Sequence, residues 1–292
     1  MNALPEHISI WGELSGTAHE LRFVDVAGIR TRVLRAGAGP DLILLHGTAG
    51  HLEAYARDIA GLAQDFRVTA YDMVGHGWSD LPDYPYTTDV LAAHLIGLMD
   101  ALGIEAGHLS GESLGGWVAA WAAAHHPHRV RRLILNTPGN IADKPEVMVR
   151  MRESTLAAVR DPNTAAVRQR VEFLFHHKEL VTEELVNLRR AVYSRPGFER
   201  AAENILVLQD PVVRKGFAWR PEWVGRISAP TLLLWTDHDP TGGLDEAELL
   251  LTWLPDARLH VITDAGHWPQ WEKRDEFLRA HREFLLLGKD PA

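Results

Sequence analysis

The chain contains no cysteine, which excludes disulfides, Cys-ligated zinc, iron–sulfur centres and a thiol nucleophile. It also lacks a long apolar run. Strings such as Leu232–Trp235 and Leu285–Leu287 are far short of the roughly 18 residues of a membrane span. The N-terminus, MNALPEHISIWGELSG, has no apolar signal-like core and so does not read as a secretory leader. Positive charge is scarce: Lys and Arg number 30 against 39 Asp and Glu, a formal −9. That balance argues against nucleic acid or an anionic membrane as partner. No segment recurs at a fixed period, so repeat architectures are not expected. No phosphate loop, dinucleotide fingerprint or metal-ligand cluster appears, and neither cofactor nor metal is expected. The expected setting is a bacterial-type cytosol, which the lack of cysteine permits.

What remains is ordinary globular material, 46% hydrophobic and 24% charged over 292 residues. That length suits one large α/β domain carrying an insertion. Ten tryptophans would suit an aromatic-lined pocket for a small molecule. Phe23–Val26 and Thr31–Leu34 flank Ala27-Gly28, a hairpin signal. Strands are then expected at Leu42–Leu45, Val68–Tyr71, His108–Ser110, Arg132–Leu135, Thr231–Trp235 and Arg258–Ile262. Helix-period segments separate them: Leu52–Leu62, Thr87–Leu102, Leu114–His125, Asp245–Trp253 and Arg274–Leu286. The alternation predicts an α/β fold with a mostly parallel sheet flanked by helices. Between about Gly139 and Glu222 strand patterns vanish. Helices are expected there at Glu146–Val159, Thr164–His176, Thr182–Tyr193 and Glu199–Leu208. The expected division is a core of residues 1–138 and 223–292 with a helical lid, 139–222, over the carboxyl ends of the strands.

Gly111-Glu112-Ser113-Leu114-Gly115 lies where a strand ends and a helix begins, the context of a nucleophile elbow. Glycines two residues either side of Ser113 let the two backbones pass closely, and the helix N-terminus favours negative charge at the serine. The base is expected at His267, which follows the last strand. The acid that orients it is expected after the preceding strand, in Trp235-Thr236-Asp237-His238-Asp239-Pro240. Asp239, further into the loop, has the reach and is preferred; Asp237 can instead bond the loop backbone as an Asx-turn. An oxyanion hole needs two backbone N–H groups. One is expected from Leu114. The other is expected from Thr48 in the loop His46-Gly47-Thr48-Ala49-Gly50, where Gly47 lets backbone approach substrate. Asp72-Met73-Val74-Gly75-His76-Gly77-Trp78-Ser79 reads as a structural turn.

These motifs resemble the α/β-hydrolase superfamily across nearly the whole chain. Gly266-His267-Trp268-Pro269-Gln270-Trp271-Glu272 resembles, more specifically, the meta-cleavage product hydrolases. These split a C–C bond in ring-fission products of aromatic degradation. The resemblance implies that Trp268 contacts substrate and that a lid arginine binds the dienoate carboxylate, in a helix starting Thr182-Glu183-Glu184-Leu185. Arg189 stands at the matching spacing. Helix geometry adds its own argument: at ~100° per residue, Arg189 falls about 40° from Leu185, beside the stripe of Leu185, Leu188 and Val192.

Two departures bear on substrate. Glu112 stands where the family has an asparagine beside the substrate's polar end, and a carboxylate there repels a dienoate unless it pairs with Arg189 or is protonated. The loop reads His46-Gly47-Thr48-Ala49-Gly50-His51 rather than His-Gly-x-Gly-Pro-Gly. The resemblance implies serine-dependent hydrolysis of a 2-hydroxy-6-oxo-2,4-dienoate. A carboxylesterase or lactonase with the same triad, and a non-catalytic ligand sensor, are the alternatives. Two lesser expectations concern His176-His177, candidates to face the pocket, and the N-terminal residues Ile8, Ile10 and Trp11. The latter could form an arm clasping a partner in a homodimer.

Overall fold

The computed structural model describes residues 9–142 and 144–286. Among the described residues eight strands form one sheet: β1 (His19–Val26), β2 (Ile29–Ala36), β3 (Asp41–Leu45), β4 (Arg67–Tyr71), β5 (Gly107–Glu112), β6 (Val130–Asn136), β7 (Thr231–Thr236) and β8 (Ala257–Ile262). Their order is β1-β2-β4-β3-β5-β6-β7-β8. β1 pairs with β2 and β2 with β4 antiparallel; every other pairing is parallel. The β1–β2 hairpin turns at Ala27 and Gly28, with φ of 51° and 86°, the left-handed pair that a two-residue turn requires. β3, β5 and β7 are buried at every position, as expected of parallel strands covered on both faces.

The helices outside the insertion are α1 (Ala56–Leu62), α2 (Thr88–Ala101), α3 (Leu114–His125), and later α10 (Leu244–Trp253), α11 (Pro269–Glu272) and α12 (Arg274–Leu286). α2 packs on α3, and α1 packs on α12. Between β6 and β7 the described chain holds helices and no strand: α4 (Pro145–Arg160), α5 (Thr164–Glu172), α6 (Glu183–Tyr193), α7 (Phe198–Ile205), α8 (Pro211–Lys215) and α9 (Pro221–Val224). α4 packs on α5 and α7, and α5 on α6.

Three expectations shift in detail. Leu52–Leu62 begins as a 3₁₀ turn, Leu52–Tyr55, before α1. The helix expected to run to His176 stops at Glu172, because the Leu174 carbonyl accepts the N–H of His267 at 2.8 Å. A bond to a residue far along the chain there replaces a helical one. The N-terminal arm folds onto its own chain: Ile10 is buried, and its N–H donates to Glu184 Oε2 on α6 at 2.8 Å. Ile8 lies outside the described residues. Among the described residues no helix is long and apolar enough to cross a membrane.

Candidate active site

Ser113 sits between β5 and α3 with φ 54° and ψ −117°, a strained conformation for a residue with a side chain. The turn is possible because its neighbours are glycines. A Cβ on Gly111 would collide with the Gly115 carbonyl, and one on Gly115 with the Leu45 carbonyl. Leu114 opens α3, so its N–H is among those without an intrahelical acceptor. Thr48 lines the same cavity as Ser113. The loop that carries it is braced by His46, which burial holds neutral with a pKa of about 3. Its Nε2 accepts the Met73 N–H, so Nδ1 carries the proton donated to the Gly47 carbonyl at 2.9 Å.

His267 and Asp239 meet as expected. His267 Nδ1 donates to Asp239 Oδ2 at 2.8 Å. The other carboxylate oxygen accepts the Thr241 N–H and hydroxyl at 2.7 and 2.8 Å, so the acid is fixed in place. Asp237 instead faces the backbone N–H of Ala265. The Gln-Trp-Glu run that follows His267 is structural support. Gln270 accepts from Asn136 on β6, Trp271 donates to the Ala54 carbonyl, and Glu272 accepts the N–H groups of both Gly266 and His177. Glu272 thereby ties the histidine loop to the helical insertion.

Nε2 of His267 does not face a simple serine. Glu112 Oε1 stands 3.2 Å away, and the atom makes no aligned hydrogen bond with Ser113 or any other described group. Burial alone would push this imidazole down; the Asp239 and Glu112 carboxylates outweigh it and hold the pKa up at about 10.

The cavity beside Ser113 is lined by His267, Glu112, Gly47, Thr48 and Arg189, with Ala54, Met151, Leu174 and Trp268 supplying apolar surface. Arg189 is 2% exposed, as its helical position predicts. Its Nη1 donates to the Ala49 carbonyl at 2.7 Å, while Nε and Nη2 have no partner among the described residues. Trp268 is buried beneath it, its ring 5.7 Å from the guanidinium. A second arginine, Arg170 on α5, lines the cavity as well. It is 3% exposed; Nε donates to Thr155, and Nη1 has no partner. The sequence reading missed it, although the test applied to Arg189 would have found it. At ~100° per residue Arg170 lies about 40° from Leu174 and 60° from Val167, on an apolar stripe.

His176 and His177 face away from the cavity. His177 Nε2 and His176 Nε2 approach Asp264 Oδ1 at 3.0 and 3.6 Å, and Lys273 holds the other oxygen. The glutamate tie and the Leu174 bond turn this segment outward. The turn after β4 centres on Asp72, which accepts the N–H groups of Leu52 and Trp78 and pairs with Arg32.

A strained serine turn after the central strand β5, a histidine after β8 and an acid after β7 agree with the sequence comparison: the α/β hydrolase fold family matches residues 40–274. The chain belongs to that family. A 2-hydroxymuconate semialdehyde hydrolase of Pseudomonas sp. (strain CF600) is 33% identical over 270 residues, spanning 90% of this chain and 93% of the relative. A 2-hydroxy-6-oxo-6-phenylhexa-2,4-dienoate hydrolase of Comamonas testosteroni is 34% identical, spanning 86% and 89%. The solved meta-cleavage product hydrolase of Pseudomonas fluorescens IP01 superposes with a TM-score of 0.80 at 30% identity, covering 90% of this chain and 97% of that one. This α/β hydrolase therefore resembles meta-cleavage product hydrolases in both sequence and structure.

Proposed function

We propose that this α/β hydrolase cleaves a C–C bond in a 2-hydroxy-6-oxo-2,4-dienoate ring-fission product, with Ser113, His267 and Asp239 as its triad. The observation that carries this reading is Arg189: a buried guanidinium with two N–H groups free, in the same cavity as Ser113 and His267. An uncompensated buried charge is costly, and a carboxylate is the ligand that a guanidinium fork fits. With the carboxylate there, the distal carbonyl is placed toward Ser113. After the dienol ketonises, Ser113 attacks that carbonyl, the Leu114 and Thr48 N–H groups stabilise the oxyanion, and the carbon leaving group departs as a stabilised dienolate. Water then releases a carboxylic acid.

In this reading residues 139–222 are the lid, and 1–138 with 223–292 the core. Trp268 and Gly47 line the substrate's path. A cytoplasmic location and a homodimer complete the proposal; a monomeric mass by light scattering would remove the latter. The test of function is the absorbance decay of a yellow ring-fission dienoate. Bleaching with release of the carboxylic acid is expected, and Ser113→Ala should abolish the release of the acid. Absence of bleaching beside turnover of a p-nitrophenyl ester would instead favour an esterase or lactonase, the reading to which Glu112 lends support.

A further inference from the structure

A serine is activated when the imidazole Nε2 accepts its proton. Here the imidazole stands between two carboxylates, Asp239 at Nδ1 and Glu112 at Nε2, both at most 2% exposed. Only the protonated ring offers an N–H to each, and that ring has no lone pair left for Ser113.

The Glu112 carboxylate is accommodated. Gly47 leaves it room, since a Cβ there would lie 2.7 Å from either oxygen. Its Oε2 has no hydrogen-bond partner and so is open to a ligand proton. Arg170 and Arg189 line the same cavity. Two carboxylates, Glu112 and Asp239, thus meet three cations, which leaves one positive charge for a monocarboxylate substrate. Without Arg170 the balance would be zero, and no net positive charge would remain for the dienoate.

Building on the C–C hydrolase reading above, we propose that Glu112 is a second proton-transfer residue, which acts with His267 to ketonise the dienol before cleavage. Glu112 takes the proton of the 2-hydroxyl. The O–H pair becomes the C2=O bond, the C2=C3 pair moves to C3=C4, and the C4=C5 pair takes the proton from His267 Nε2. One O–H and one N–H bond break, and one O–H on Glu112 and one C–H at C5 form. The substrate is isomerised, with no oxidant or reductant. Glu112 and the imidazole both end neutral, so Nε2 is freed to accept the Ser113 proton. Ketonisation thereby arms the nucleophile. After C–C cleavage, Glu112 returns its proton to the 2-oxygen of the dienolate.

The charged or titratable groups facing the pair are Asp239, Tyr55, Arg170 and Arg189. Two measurements on the full-length chain test the role. Ser113→Ala stops at ketonisation, so single-turnover spectra of the dienoate with Ser113→Ala and with Ser113→Ala/Glu112→Gln isolate that step. The double variant should ketonise about 100-fold more slowly or worse, and Glu112→Asp should restore part of the rate. Glu112→Gln alone should hydrolyse p-nitrophenyl acetate faster at pH 7, because loss of the Glu112 carboxylate lowers the His267 pKa and each unit exposes about tenfold more neutral imidazole. Unchanged ketonisation together with an unchanged ester pH profile would overturn the proposal. So would a parallel loss of both activities with a lowered Tm, the mark of a structural role. If the wild type never alters the dienoate spectrum, the substrate reading itself fails. The ester profile, which needs no dienoate, tells that apart from a failure of Glu112 to hold the His267 proton.

Discussion

Arg189→Met offers the sharpest test of what the cavity is built to bind. Methionine keeps most of the volume and the apolar stem over Trp268 but removes the guanidinium. In the structure Nε and Nη2 are unpartnered and buried, so the carboxylate gains two charge-assisted hydrogen bonds, each worth about 1.5–3 kcal/mol. Their joint loss is about 3–6 kcal/mol, or roughly 10²- to 10⁴-fold in kcat/KM on a dienoate. Because the carboxylate stays bound from ground state to transition state, the larger share should fall on KM. A neutral ester loses only the bond to the Ala49 carbonyl, which braces the oxyanion loop; about 1 kcal/mol, or roughly fivefold, is expected there. Steady-state kinetics on a dienoate and on p-nitrophenyl acetate measure both. Equal losses on the two substrates, or a dienoate loss below threefold, would refute the assignment of Arg189 to the carboxylate.

Three further outcomes follow from other parts of the structure. Arg170→Met should raise KM for the dienoate by about tenfold or more, and should cost much less in a Glu112→Gln background; a double-mutant cycle reads the coupling. Gly115→Ala should abolish activity and soluble expression, since the new Cβ meets the Leu45 backbone carbonyl rather than a movable side chain; an active, folded variant would contradict the elbow geometry. Asp58 is fully buried with neither carboxylate oxygen partnered, and burial raises its pKa well above the usual carboxylate range. The folded state therefore holds its proton more tightly than the unfolded one. The stability this provides is complete below the unfolded pKa near 4 and declines as pH rises above it. Asp58→Asn, which cannot ionise, should raise Tm more at pH 8 than at pH 4 in thermal melts.

How much of this was legible in the sequence depends on how local each cause is. The elbow at Ser113 is set by glycines within two residues, so spacing alone located it. His267 and Asp239 were found because each follows a strand whose apolar run is plain, and chain order supplied the rest. The burial of Arg189 was legible because a helix carries its own geometry. Where a distant residue decides, the reading went astray. Thr164–His176 was read as one helix because nothing nearby in sequence announces the bond from His267 to the Leu174 carbonyl. That same bond, with Glu272, carries His176 and His177 outward rather than into the cavity. Ile10 and Trp11 were read as an arm for a partner because an apolar N-terminus does not say which surface receives it, and Glu184 of the same chain does.

Glu112 shows a third case, in which the residue was noticed but its meaning was not available from sequence. A carboxylate beside the nucleophile argues against a dienoate unless it pairs with Arg189 or is protonated, and pairing would use the cation that the substrate needs. The structure adds Arg170, contributed by a separate helix, to the same cavity. That changes the sign of the argument: an added negative charge matched by an added positive one leaves affinity for a carboxylate intact while placing an acceptor against His267. A buried carboxylate beside an imidazolium costs desolvation and contributes little stability of its own. Its presence beside Ser113 is therefore better explained by proton transfer than by folding. If Glu112 served packing alone, glutamine at 112 would leave the pH profile of the enzyme where it was.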